Sequence, residues 1–354
     1  MRIGKLREVQ EREGLGAYIL TRSPNVLYYT GSTSGGILIS TLGEEPLLLV
    51  SRMNLEMARA EAKGCEIATY ERKTLLRDIA ERVRRADPKI VGFDELRLET
   101  FLKLRERLEG FRMEAKPEII WEMRRIKDEE EVSRIRKACE IADAGMEAVR
   151  SSLKIGMREY EVAAELEYAM RRAGAESLAF ETIVGSGPRS AYPHAGCRDR
   201  RIREGDLIVI DAGATYRGYR SDITRTFIIG RPSEEQRRIY ETVLEANERA
   251  LEGIREGVKG REVDAIAREV ITKAGYGEFF THSLGHGVGL EVHEPPSLSR
   301  ESEDVLKAGN IVTDEPGIYI AGKGGVRIED TVLVRKDGAE RLTRFGKSLE
   351  DMFL

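Results

Sequence analysis

Two strand-like runs, residues 207–216 and 219–229, are separated only by Arg217-Gly218, and each carries one aspartate. A two-residue connection between such runs closes a β-hairpin. If Tyr216 pairs with Tyr219, Asp222 faces Gly213; Asp211 has the parity of Gly213 and lies diagonally across from Asp222 on the same face. Diagonal cross-strand neighbours have Cβ atoms roughly 7 Å apart or less. Asp211 follows Leu207-Ile208-Val209-Ile210, so its carboxylate enters from a buried strand. An unpaired buried carboxylate is costly. A shared cation is one remedy and an arginine partner is another, with Arg217, Arg220 and Arg225 all near in sequence.

A second acidic hairpin is expected from residues 311–320 and 326–334, which carry Glu315 and Glu329. A five-residue connection (320–324) would set the two glutamates directly opposite each other, whereas a four-residue connection would place them on opposite faces. Pro316 disturbs the count, so both registers stay open. All four histidines lie beyond residue 190: His194 alone, then His282, His286 and His293 among Gly285, Gly287 and Gly289. Those glycines are expected to let backbone and ligand approach His286 closely. Asp211, Asp222, His286, Glu315 and Glu329 together form an oxygen-rich donor set with one imidazole. Such a set suits Mn²⁺, Co²⁺, Fe²⁺ or Zn²⁺, not a thiolate structural zinc site. Two such ions can activate a water at neutral pH. The sequence holds no HExxH, so a helix-borne zinc site is not indicated.

Length suggests two domains, since 354 residues exceed the usual size of one. Residues 1–118 read as an α/β domain with a turn-rich stretch near residues 23–36, and they contain no histidine. Residues 119–354 read as α+β with antiparallel hairpins, opening on one long helical stretch at 119–149. The 58 basic and 62 acidic side chains nearly cancel, which argues against a nucleic-acid binder. No apolar run approaches the ~18 residues of a membrane span. The first residues lack the apolar core of a signal peptide. Three scattered cysteines, Cys65, Cys139 and Cys197, fit a reducing compartment. A cytoplasmic protein without membrane association is expected.

The segments IDAGATYRGYRSDITRTF, SLGHGVGLEVHE, VTDEPGIY and GVRIED occur in that order. They resemble those of the pita-bread metallopeptidases, the family of Xaa-Pro dipeptidase, aminopeptidase P and methionine aminopeptidase. The resemblance covers nearly the whole chain. It implies an α/β N-terminal domain followed by an α+β pita-bread domain built on antiparallel sheet. It also implies a dinuclear metal centre in which Asp222 and Glu329 bridge the ions, Asp211 completes one site, and His286 with Glu315 completes the other. Glu315 would also shuttle a proton. His194 would contact the substrate, His293 would bind near the scissile amide, and His282 would line the pocket. Arg327 would orient the acids.

An N-terminal domain ahead of the metal domain is shared with the proline-directed members. Short proline-containing peptides are therefore the expected substrates, in a homodimer whose N-terminal domain covers the partner's site. The alternatives are a methionine aminopeptidase-like exopeptidase or a non-catalytic peptide-binding module. Some dipeptidases of the family carry an arginine beside the site motifs, able to hold a dipeptide's carboxylate. Here Ser283 and Ser297 flank the histidine segment, and Arg198, Arg200 or Arg201 would have to substitute. Dipeptidase and aminopeptidase P specificity thus both stay open.

Overall fold

The computed structural model describes residues 2–354, which divide at Met123/Arg124 into two units. The division falls inside the helix Pro117–Arg125, with the sequence-derived boundary at 118/119 in that helix's first turn. Proline is tolerated there because the first turn has no use for its missing N–H.

In the first unit the apolar runs form one six-stranded sheet. Its strands lie in the order Glu66–Tyr70, Leu47–Ser51, Ile37–Thr41, Ala17–Leu20, Ile90–Phe93 and Arg112–Ala115. Ala17–Leu20 is central and buried along its length. It pairs antiparallel with Ile37–Thr41 and parallel with Ile90–Phe93. Helices Leu75–Arg85 and Leu98–Arg107 bury Ile79, Val83 and Leu104 with Ile19, Ile39 and Val91. Each such side chain contributes about 1.5–3 kcal/mol on burial.

Part of the expected turn-rich stretch is instead helix, Ser23–Thr30. Pro24 sits in its first turn, and Gly31 ends it in the left-handed region at φ 76°. The buried Asp94 carboxylate accepts from the Thr21 and Arg22 amides and from Asn25 Nδ2, fixing where that helix begins.

The second unit is mixed α+β. The helical stretch expected at 119–149, with acids at a helix start near residues 127–131, is two helices, Pro117–Arg125 and Glu129–Ser152. The second starts afresh because Asp128 and Glu131 form a reciprocal capping box. Glu129–Ser152 packs on Glu159–Arg172, and Glu234–Gly253 packs on Gly260–Lys273. These pairs bury Met146, Val149, Leu166, Val243 and Ala267 in one core with the antiparallel strands Leu207–Ala212, Ile223–Ile228, Ile311–Asp314 and Asp330–Val334.

Candidate metal centre

The first hairpin turns at Arg217 and Gly218, both with positive φ, and Tyr216 pairs with Tyr219. Asp211 pairs with Thr224 and Ala212 with Ile223, which continues the register that sets Asp222 opposite Gly213. The ladder ends there, where the Ser221 carbonyl comes so close to Gly213 that a Cβ would lie 2.1 Å from its oxygen.

The second hairpin keeps one register across its break. Asp314 pairs with Asp330, and Gly317 pairs with Arg327. Glu315 and Glu329 therefore stand directly opposite. Ile320 pairs with Gly324, the longer of the two connections considered. Pro316 interrupts the hydrogen bonding without adding a residue. The short strand Gly285–Gly287 pairs beside Ile311–Asp314 and carries His286 to the same place.

The three glycines around His286 admit the protein's own groups at close range, and Gly285 also lines the cavity. A Cβ on Gly285 would meet the Thr313 carbonyl oxygen at 2.0 Å, and one on Gly287 would meet the Glu294 carbonyl oxygen at 2.4 Å. One on Gly289 would meet the Glu294 carboxylate at 2.3 Å.

Asp211, Asp222, His286, Glu315 and Glu329 all line one cavity of about 550 Å³. His286 Nδ1 lies 3.1 Å from the Gly287 carbonyl oxygen. A carbonyl only accepts, so Nδ1 carries the proton and Nε2 presents a lone pair. That lone pair faces Glu315 Oε1 at 3.4 Å and Asp222 Oδ2 at 3.7 Å. One ligand atom each from Asp222, His286 and Glu329 lie within 4.8 Å of one another. Burial, helped by His293, lowers the His286 pKa to about 4, so the ring is neutral at pH 7. Carboxylate oxygens and an imidazole lone pair crowd together here, a donor set that suits a divalent cation. The buried Asp211 Oδ1 and Asp222 Oδ1 have no hydrogen-bond partner.

Burial and the neighbouring carboxylates raise Asp222 and Glu329 well above the usual carboxylate range. Burial lifts Glu315 to about 8, against the pull of Arg327. A cation must displace these protons, so metal loading should release protons and strengthen as pH rises. Calorimetric titration of metal-free protein with Mn²⁺ should give heats that scale with the buffer's ionisation enthalpy. It should also give tighter binding at about pH 8 than at about pH 6. Heats independent of buffer would contradict this.

Arg327 ties the acids together. Its Nη2 donates to Asp211, Nε to Thr224 Oγ1 at 2.9 Å, and Nη1 to the Tyr319 hydroxyl at 2.9 Å. Thr224 in turn donates to Glu329 Oε2 at 2.7 Å. His282 Nδ1 lies 2.7 Å from the Ser283 carbonyl oxygen, so its Nε2 accepts from Tyr319 at 2.9 Å. Burial, with Arg327 nearby, lowers His282 to about 3. Sequence reasoning missed Thr224, Thr313, Tyr319 and Thr331. Thr313 Oγ1 accepts from the His286 amide, and Thr331 Oγ1 accepts from the Asp222 amide while donating to its carbonyl. The available signal was strand parity: each lies an even number of residues from an acid in its own hairpin.

His194 and His293 are exposed at the cavity, on separate loops, with the His293 ring centroid 4.1 Å from that of His286. Burial holds the His293 pKa below its ordinary value. Phe180, Ile183, Pro193 and Val292 give the cavity an apolar wall. Of the arginines considered for a carboxylate, Arg200 is bound through both terminal nitrogens to Asp206, and Arg201 reaches the Gly156 carbonyl. Among the described residues Arg327 is the one arginine lining the cavity.

Fold and site together define a metal-dependent hydrolase with a separate N-terminal domain. Residues 133–336 match metallopeptidase family M24, and residues 2–126 match the creatinase/prolidase N-terminal domain. The chain belongs to the M24 family, and its second unit has the pita-bread fold expected from the motifs. It is 42% identical to the Xaa-Pro dipeptidase of Pyrococcus horikoshii over 98% of both chains. It is 43% identical to the Pyrococcus furiosus enzyme of that name, over 98% of this chain and 99% of the relative. Among solved structures, the P. horikoshii prolidase superposes with a TM-score of 0.93 at 42% identity, covering 98% of this chain and 99% of that one. The Thermotoga maritima X-Pro aminopeptidase gives 0.88 at 38% identity, covering 96% and 99%.

Proposed function

We propose that this protein is an exopeptidase that hydrolyses Xaa-Pro bonds in short peptides, using two divalent ions per chain. Mn²⁺, Co²⁺, Fe²⁺ and Zn²⁺ all suit the donor set. The carrying observation is the His286 lone pair facing the Asp222 and Glu315 oxygens within a cavity walled by apolar side chains. When bound, the ions supply Lewis acidity and a water acidic enough to attack at neutral pH. Asp222 and Glu329 would be shared by the ions, Asp211 would serve one, and His286 with Glu315 would serve the other. Glu315 would take a proton from the attacking water and return it to the leaving prolyl nitrogen. His194 donates toward the carbonyl oxygen as charge develops there. His293, whose pKa is held below its ordinary value by partial burial, holds the scissile amide.

The amide before proline has no N–H to recognise. Selectivity therefore falls to ring shape against Phe180, Ile183, Pro193 and Val292.

Protein loaded with Mn²⁺ or Co²⁺ should cut Ala-Pro or Ala-Pro-Ala. If both stay intact while a Met-Ala-Ser peptide is cut, the methionine aminopeptidase-like reading replaces this one. Fewer than about one ion per chain after reconstitution, with no cleavage at all, would favour a binding module, since a dinuclear centre needs two.

We also propose a cytoplasmic homodimer. Among the described residues no helix is long and apolar enough to cross a membrane. Sedimentation should give twice the 39.8 kDa chain mass. A fully active monomer would contradict the pairing.

A further inference from the structure

His194 stands at the cavity with no hydrogen bond or ion pair to its ring among the described residues, so its place depends on the backbone that carries it. That backbone, residues 186–198, closes on one carboxylate. Glu159 is completely buried. Its Oε1 accepts from the Ser186 amide at 2.9 Å and the Ser186 hydroxyl at 2.8 Å, at the start of the loop. Its Oε2 accepts from the Arg198 amide at 2.9 Å, at the loop's end. Arg189 Nε, from within the loop, donates to both oxygens at 3.1 and 3.0 Å. The same guanidinium reaches on through Nη2 to the Ala195 carbonyl at 2.8 Å, one residue after His194.

All four lone-pair directions of the carboxylate are engaged, and every donor belongs to the loop. Glu159 itself opens the helix Glu159–Arg172, where the helix dipole favours a negative charge. The carboxylate is therefore anchored on a rigid element while the loop is draped over it.

We propose that Glu159, acting with Arg189, is a positioning residue for His194, fixing the imidazole where it meets the substrate. The inference rests on the role of His194 given above. A loop tied at both ends and braced beside the histidine leaves the ring little freedom. A misplacement of about 1 Å in such a group costs on the order of 10²-fold in rate. Glu159 is in contact with none of the five metal donors, so its effect should be separable from metal binding.

The test is a double-mutant cycle on metal-loaded full-length protein, with Ala-Pro and Ala-Pro-Ala as substrates. In Glu159→Gln one oxygen becomes an amide that cannot accept from the Arg189 and Arg198 donors. Metal content should stay at the wild-type value, and kcat should fall about 10–100-fold with KM changed much less. In a His194→Ala background the same substitution should cost less than about threefold, because the group it positions is already gone. Arg189→Lys, which keeps the charge but cannot span both Glu159 and Ala195, should show the same dependence on His194. It also serves if Glu159→Gln does not fold.

An equal loss in both backgrounds would overturn the inference, as would unchanged kcat in both Glu159→Gln and Arg189→Lys. If His194→Ala alone leaves turnover intact, the role of His194 fails and the inference fails with it. If His194→Ala collapses turnover while the Glu159 and Arg189 variants do not, only the inference fails.

Discussion

Asp222→Ala and Glu329→Ala should each strip divalent metal from the protein and lower turnover by roughly 10³-fold or more, the scale lost when groups acting as one unit are broken. These acids come from different hairpins, yet their strands adjoin: the Glu329 amide donates to the Thr224 carbonyl at 3.1 Å. One oxygen of each lies within 4.8 Å of a His286 ring nitrogen. Removing either deprives both proposed ions of a ligand, whereas removing Asp211 deprives one.

The stability change should have opposite signs with and without metal. Asp222 is buried, its Oδ1 has no partner, and its pKa is raised by burial and then by Glu329. A group with a raised folded-state pKa destabilises the fold once pH exceeds its unfolded value. In chelator, Asp222→Ala should therefore unfold at the same temperature as the parent or higher. With Mn²⁺ added, the parent should gain stability by mass action and the variant should not. His194→Ala is the control: it should keep its metal and lose turnover. Equal metal loss in Asp222→Ala, Glu329→Ala and His194→Ala would show that the assigned roles are wrong. Metal per chain by elemental analysis and melting with and without chelator decide the matter.

The placing of Asp211 and Asp222 was readable from the sequence because strand periodicity is strict. Arg217-Gly218 fixes the first hairpin's register, and from it follows the diagonal of Asp211 and Asp222. The second register was not readable, because Pro316 could equally have stood in a bulge. In the structure the ladder pauses at Glu315-Pro316 and resumes with no residue gained.

The supports were harder to see. Thr224 and Tyr319 act through hydroxyls whose partners lie elsewhere in the chain, at Glu329 and His282. Glycine gave a sound signal around His286: close approach was correctly inferred, and the approaching groups include the carbonyls of residues 313 and 294 and the Glu294 carboxylate. In the first unit, Ser23-Pro24 served as a helix start although the same pair can open a turn. The choice was made by Asp94, some seventy residues away, which no local pattern reveals.

Asp330→Ala should be the most destabilising single change behind the metal site. Asp330 is buried back to back with Glu329. It accepts from Arg225 Nη2 at 2.9 Å, Lys347 Nζ at 2.9 Å and Thr343 Oγ1 at 2.8 Å. Arg225 is fully buried, and its remaining donors are spent on the carbonyls of Thr224, Glu329, Phe345 and Gly346. Asp314 lies directly across the ladder, but burial raises its pKa well above the carboxylate range despite Lys347. Neither of its carboxylate oxygens has a hydrogen-bond partner, so in the parent the bonds to Arg225 and Lys347 come from Asp330 and not from Asp314. Removing Asp330 leaves the buried Arg225 and Lys347 cations without their carboxylate, a loss of about 3–5 kcal/mol. For a unit of this size that is roughly 6–20 °C in melting temperature, at about 2–4 °C per kcal/mol.

The pH dependence gives a second check. Burial opposes the charge on Asp330, but Arg225 and Lys347 outweigh it and hold the carboxyl far below its ordinary value. A depressed pKa stabilises the fold above the unfolded value, near 4, and that stabilisation drains away as pH falls below it. The gap between parent and Asp330→Ala should be full at neutral pH and should narrow in acid. Melting in chelator keeps metal affinity out of the comparison. A variant that melts with the parent at neutral pH would mean that Asp314 ionises to take over the charge, and a further change to Asp314→Asn should then expose the full loss.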